Sequence, residues 1–305
     1  MPKVATVVKT LRVADVAVSV WLGREVRQAR PPRSHDRCVR YSFVSRFSRL
    51  SAVVLTFLSC VALATPALAS ERSSAPPGFV ALHDIDPTIR YDIRYFGRHN
   101  FVGDPIDGYW QPECILTRQA ATALHTAQRA LLSQGYTLKV YDCYRPQRAV
   151  DHFVRWANDL DDERMKAEFY PNVDKTRLFA DGYIAEKSGH SRGSTLDVTL
   201  VKLPAGPQRP YVPGEPLVAC FAPVGQRFPD NGVDMGTGYD CFDPLSHTDN
   251  PAITGTARHH RDLLRGTLVD AGFRNLAEEW WHYTLNDEPF PDTYFNFPVT
   301  RHALT

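Results

Sequence analysis

The chain has 305 residues, 23% of them charged, with 35 Lys+Arg against 34 Asp+Glu for a formal charge of +1, and 43% are hydrophobic. These values describe a globular chain with core enough for one large domain or two small ones. They exclude a disordered chain, a collagen-like chain and a disulfide-dense miniprotein. The balance conceals an asymmetry. Residues 1–69 carry 11 Lys+Arg against Asp15, Glu25 and Asp36, a net of +8, which leaves 24 basic and 31 acidic residues, a net of −7, in 70–305. A body of that sign is a poor match to nucleic-acid phosphate, which calls for a basic face.

In chain order, the first feature is the uncharged apolar run 51–64, SAVVLTFLSCVALA, with Arg46 and Arg49 before it and Ala67-Leu68-Ala69 after it. Positive region, short apolar run and small-x-small site together predict a secretory signal peptide cleaved after Ala69, and a periplasmic or secreted protein. The run is short for a transmembrane helix, so no stable membrane insertion is expected after cleavage. Cys60 raises a lipoprotein reading, but Phe57-Leu58-Ser59 is a poor match to the segment such a cysteine needs. Residues 1–43 place the chain start unusually far upstream, consistent with translation beginning near Val39 or Val44. Residues 1–69 are therefore set aside, and 70–78 read as a linker.

A single domain is expected over 79–305. Residues 79–95 contain two alternating segments, FVALHDI and IRYDIRY, that read as strands. Thr117 caps a predicted helix over 118–134. There Ala121, Leu124, Ala127, Leu131 and Leu132 recur at helical spacing, and Gly135 ends it. TLKVYDCY (137–144) alternates as a strand, Arg145-Pro146 stops it, and a second helix is expected over 147–158. Residues 159–168 read as a solvated helix or loop. TLDVTL (195–200) puts Leu196, Val198 and Leu200 on one face and Thr195, Asp197 and Thr199 on the other. A Pro/Gly-rich stretch, 202–236, predicts a long surface loop. A helix over 256–271, ended by Gly272, and a strand pair within 273–285 complete the chain. Helices and strands without regular alternation predict an α+β fold, a central antiparallel sheet flanked by helices. Cys114, Cys143, Cys220 and Cys241 allow three pairings. Cys114–Cys143 with Cys220–Cys241 is the favoured one, a small buried thiol being the other reading of each.

Three segments carry chemistry: 188–197 (SGHSRGSTLD), 278–282 (EEWWH) and 141–146 (YDCYRP). His190, Asp197 and His282 make a natural zinc set of two imidazoles and a carboxylate, leaving a fourth position for water. Gly193 lets the chain turn between His190 and the strand that carries Asp197. Glu279, three residues before His282, could stand beside the metal without ligating it and take a proton from water. Taken singly, each of these has a plainer reading. His190 could be a turn residue, His282 a half-buried one, and the two tryptophans core aromatics.

H-x-x-G-x-x-x-D followed far downstream by E-x-x-H resembles the zinc peptidases that include D-alanyl-D-alanine carboxypeptidases and dipeptidases, with Hedgehog domains as structural relatives. The likeness is closer to the VanX-type D-alanyl-D-alanine dipeptidases. KSGHSRGSTLDVTL (187–200), EEWWHYTLNDEPFPDTYFNFPV (278–299), DCYRPQRAV (142–150), FVGDPIDGY (101–109) and MGTGYDCFD (235–243) carry it, over roughly 80–299. The resemblance implies one zinc per chain held by His190, Asp197 and His282, with Glu279 rather than Glu278 as the base. It implies Arg145 as the donor to the tetrahedral intermediate, a role suited to a fixed guanidinium. It implies Asp240 at the substrate ammonium, and Tyr95 and Ser188 near the substrate carboxyl end. The implied substrate is D-Ala-D-Ala or a related cell-wall peptide, with no nucleic acid and no organic cofactor. A carboxypeptidase acting on longer stem peptides, and a non-catalytic zinc module, are the alternatives. The chain departs from the family pattern at Cys143, where Gly is usual, at Gly189, often Ser, and in the longer loop 202–234 that brings Cys220. A Cys220–Cys241 bridge is expected to pin that loop as a lid against the amine end.

Overall fold

The structure, a computed structural model, describes residues 74–305. The expected signal peptide, its cleavage site after Ala69 and the start of the linker lie outside the described residues. Of the rest of that linker, Ala75 donates its backbone N–H to Ala303 (2.7 Å) and packs against the core, so the segment 74–78 is tied down.

Seven strands are described. They are β1 (Phe79–Ala81), β2 (Arg90–Tyr91), β3 (Ile115–Thr117), β4 (Tyr136–Asp142), β5 (Thr195–Lys202), β6 (Phe273–Asn275) and β7 (His282–Leu285). β1 and β3 form a two-stranded antiparallel sheet, and the others form a five-stranded sheet in the order β2-β4-β5-β7-β6. That sheet is antiparallel as expected, except at one edge, where β2 runs parallel to β4. Strand register aligns its polar side chains. Asp197 on β5 lies opposite His282 on β7 and opposite Asp142 on β4, with a register shift between Val140 and Asp142. Directly opposed residues on neighbouring strands hold their Cβ atoms about 4.5–5.5 Å apart. Three polar side chains are thereby set in one row across the sheet.

Among the described residues the five α-helices are α1 (Leu82–Ile85), α2 (Arg118–Leu132), α3 (Gln147–Asn158), α4 (Lys166–Phe169) and α5 (Gly255–Asp270). The Thr117 hydroxyl accepts from the Ala120 N–H at the start of α2, and Ala121, Leu124, Ala127 and Leu131 are buried. That apolar stripe covers one side of the sheet, where Leu138, Leu196, Val198 and Leu200 are fully buried. α3 and α5 match their expected spans within a residue.

One expectation about the strands is corrected. The stretch 79–95 is not two alternating strands: β1 stops at Ala81, Leu82–Ile85 turn as a helix, and only Arg90–Tyr91 pair as β2. The Asp86 N–H closes the turn on the Leu82 carbonyl, and Pro87 comes next, so local hydrogen bonds overrule the apolar alternation. Both faces of β5 are buried, Thr195, Asp197 and Thr199 as much as Leu196 and Val198 between them. Its polar face is covered by the segments that build the site.

Between β5 and α5 the chain forms only one short 3-10 turn, Pro244–Ser246, in line with the expected long loop. Both favoured disulfides are present, Cys114–Cys143 and Cys220–Cys241. The second bridge joins the loop to the chain beside Asp240. The loop is fixed on the polar face of the sheet, beside Thr199, by Asp230, which meets Lys139 Nζ and Arg94 (both 2.5 Å) and accepts from the Tyr141 hydroxyl (2.9 Å). Lys139 and Arg94 are buried, and such charges hold only when paired.

Candidate metal centre

His190 sits on a 3-10 turn, Gly189–Arg192, whose first backbone N–H groups need a cap; the Ser188 hydroxyl accepts from the His190 N–H (3.3 Å). The turn ends at Gly193 with φ +84°, and a Cβ there would overlap the Phe79 ring, so only glycine fits. His190 Nδ1 lies 2.7 Å from the Cys143 carbonyl. A carbonyl only accepts, so Nδ1 carries the proton and Nε2 presents its lone pair to the site. Cys143 is held in turn by its bridge to Cys114.

From the neighbouring strands come Asp197 and His282. His190 Nε2 is 3.3 Å from Asp197 Oδ1 and 3.3 Å from His282 Nδ1, and the last two atoms are 3.2 Å apart. Metal–donor bonds of about 2.0–2.1 Å at tetrahedral angles hold their donors about 3.3–3.4 Å apart. The three atoms therefore fit one face of a tetrahedral cation site. Asp197 Oδ1 is buried and takes no hydrogen bond, which is costly for a carboxylate unless a cation meets it. Burial opposes ionisation of Asp197, yet the adjacent imidazoles hold its carboxyl well below the usual range. Burial likewise disfavours a charged His282, but Asp197 and Glu279 outweigh it and push the imidazole up to about 9. This is the balance of a site built for a positive charge.

Around the triad the remaining expected residues fall into place. Glu279 lines the cavity with Oε2 3.4 Å from His282 Nδ1, whereas Glu278 is exposed to solvent. The two tryptophans between Glu279 and His282 are buried, and Trp280 donates to the Thr237 hydroxyl (2.8 Å), which fixes the turn carrying the glutamate. Arg145 donates through Nε to Asp142 (2.9 Å), and its NH2 nitrogen is 3.7 Å from Asp197 Oδ2. Its guanidinium lies against the rings of Tyr95 and Phe153. Asp240 is 5% exposed and lines the same cavity, of about 410 Å³. Burial, with the charge of Asp197 nearby, raises its carboxyl well above the usual range. Among the described residues Asp240 forms no ion pair, and it accepts from the Tyr95 hydroxyl at 2.8 Å.

Tyr95, expected near the substrate carboxyl end, lines the cavity and holds the acid expected at the ammonium. Ser188 lines the cavity but also caps the turn of His190. The cavity wall includes no residue between 202 and 236, although the Cys220–Cys241 bridge ties that loop to the residue after Asp240. Two buried participants escaped sequence reasoning. Asp142 accepts from both Arg145 and Tyr109 (2.6 Å), and Tyr239 donates to Asp197 Oδ2 (2.9 Å). The first lay in a segment already singled out, beside Arg145. The second carried no spacing signal.

Comparison with known proteins gives one consistent result. A family model described as D-ala-D-ala dipeptidase, of the M15 peptidases, matches residues 76–207 and 229–300. The unmatched stretch between them falls in the long loop and contains Cys220. A D-alanyl-D-alanine dipeptidase of Streptomyces coelicolor is 39% identical over 72% of this chain and 98% of its own length. One from Enterococcus faecalis is 38% identical over 73% and 98%. One from Escherichia coli is 28% identical over 68% and 83%. With matches that span almost the whole described region, the chain belongs to the D-ala-D-ala dipeptidase family of M15 peptidases.

Proposed function

We propose that the protein is an exported zinc metallopeptidase that hydrolyses D-alanyl-D-alanine to two D-alanines. One observation carries the reading: three donor atoms at tetrahedral spacing lie in a cavity that also holds Asp240, a buried acid without a cation. The triad suits a divalent metal, and its two imidazoles and one carboxylate suit zinc. Asp240 suits an ammonium.

Bound at His190, Asp197 and His282, zinc supplies Lewis acidity at the scissile carbonyl and lowers the pKa of water. Glu279 is placed to accept the proton of the attacking water and return it to the leaving amine. Arg145 offers charged donors to the oxygen of the tetrahedral intermediate, its side chain fixed by Asp142. Asp240, supported by Tyr95, takes the substrate ammonium, and Ser188 stands at the turn beside His190. A peptide longer by one residue brings a neutral amide to Asp240 in place of the ammonium, which favours a dipeptide over a longer stem peptide. The presence of both Glu279 and Arg145 favours an enzyme over a binding module.

Export is supported by the signal-like segment ending at Ala69 and by two disulfides, which persist in oxidising compartments. Turnover of cell-wall peptides is the context that fits. The test is a hydrolysis assay with zinc on D-Ala-D-Ala, L-Ala-L-Ala and a muropeptide ending in D-Ala-D-Ala. Alanine released from D-Ala-D-Ala alone, and lost with chelator, is the expected outcome. Release only from the muropeptide makes it a carboxypeptidase, and zinc bound without turnover makes it a binding module.

A further inference from the structure

The proposed chemistry uses one oxygen of Asp197 and leaves the other unexplained. A carboxylate presents two like oxygens about a broad, two-fold torsion. Holding one of them toward a cation therefore calls for a tether on the other. Asp197 Oδ1 faces His190 and His282 without a hydrogen bond, while Oδ2 accepts from the Tyr239 hydroxyl at 2.9 Å.

Tyr239 is itself immobilised. It is buried, its ring stacks on Tyr141 (centroids 4.3 Å apart, planes at 13°), and it meets Trp281 edge-on at 5.5 Å. Tyr141 is in turn fixed by its hydroxyl on Asp230. The Tyr239 oxygen also lies 3.3 Å from that of Tyr95, which donates to Asp240. Asp240 comes directly after Tyr239 at φ 54°, in the left-handed region that aspartate tolerates better than most residues. That turn sends two consecutive side chains to different tasks, one to Asp197 and one to the amine end.

We propose that Tyr239 is a positioning residue of the metal centre, tethering Asp197 Oδ2 so that Oδ1 meets the cation, and that through Tyr95 it joins the metal end of the cavity to Asp240. This rests on the metallopeptidase reading. Partners behind a metal ligand change affinity by about 10–100-fold when removed.

The test substitutes Tyr239→Phe in the full chain, which keeps the stacked ring and removes the hydroxyl. Zinc affinity is read by competition with a chromophoric chelator, and ligand geometry by the visible absorption of the cobalt(II)-substituted protein. The expected result is zinc binding about 10–100-fold weaker with a changed cobalt spectrum. The thermal midpoint of the metal-free form verifies folding. Tyr95→Phe is expected to raise KM while leaving zinc affinity near wild type. If Tyr239→Phe does not fold, a fluorotyrosine at position 239 takes its place. It is a stronger donor of the same shape, and it too is expected to shift the cobalt spectrum. An unchanged zinc affinity and spectrum overturn the role of Tyr239 alone. A wild-type protein that takes up no zinc overturns the metallopeptidase reading itself.

Discussion

Asp197 and His282 owe their spacing to sheet register, whereas Asp240 owes its place to a disulfide, a pair of tyrosines and a buried ion cluster. The first arrangement is made of backbone hydrogen bonds between β5 and β7, so it comes with the fold. The second is assembled from side chains along a segment with almost no regular structure, between Lys202 and Gly255. Two of the three candidate metal ligands are thus placed by strand register, and Asp240 is placed by an anchored loop. The division agrees with the general pattern in which a rigid scaffold positions reactive groups and loops supply selectivity.

The sharpest way to break this comparison is at the reactive end. Glu279→Gln keeps shape and removes the base, and kcat is expected to fall by about 10²–10⁴-fold with one zinc retained. Steady-state kinetics beside a metal assay checks it, and activity within tenfold of wild type removes Glu279 from the role of base.

At the loop, Asp230→Ala takes from buried Lys139 its nearest carboxylate and leaves Arg94 with the Asp92 carboxylate alone. A loss of about 3–5 kcal/mol in urea unfolding is expected. A change below about 1 kcal/mol, the scale of exposed pairs, means the cluster does not anchor the loop.

The two disulfides separate stability from function. Replacing Cys220 and Cys241 by serine opens a link spanning 21 residues and is expected to cost about 3 kcal/mol, with KM rising because Cys241 adjoins Asp240. Replacing Cys114 and Cys143 is expected to cost a similar amount but to weaken zinc binding, because the Cys143 carbonyl orients His190. Equal zinc affinities in the two double variants erase the distinction.

A further effect is on pH dependence. In the metal-free protein the imidazole of His282 is pushed up to about 9 by Asp197 and Glu279, against burial. Below that pH zinc must displace the proton, so apparent affinity rises with pH by up to about tenfold per unit and levels off above 9. The same raised value gives the metal-free fold a stabilisation that is full below about pH 6.5 and lost as pH rises through 9. Titration calorimetry at several pH values reads the first effect. A flat affinity from pH 6 to 9 contradicts it.

The reactive end was legible in the sequence because strands and turns leave periodic marks. Alternation placed Asp197 on the polar face of a strand, Gly193 marked the turn after His190, and the E-x-x-H spacing tied Glu279 to His282. The helix stripes at Ala121, Leu124, Ala127 and Leu131 gave the core. The recognition end was not legible in the same way. Tyr95 and Asp240 meet across 145 positions, and Tyr239 sits in a glycine-rich stretch where no period predicts a partner. The loop was expected from its composition, yet its docking on the polar face of the sheet depends on Asp230 finding two buried cations, which no local pattern announces. The segment 79–95 shows the opposite failure, in which apolar alternation suggested strands where a helical turn closed first.

The most direct test of the central claim is the zinc content of the folded protein after equilibrium dialysis, for the wild type and for Asp197→Ala. The His190, Asp197 and His282 triad predicts one zinc per chain in the wild type and none retained by the variant. Stoichiometric zinc in a folded Asp197→Ala protein, or none in the wild type, contradicts it.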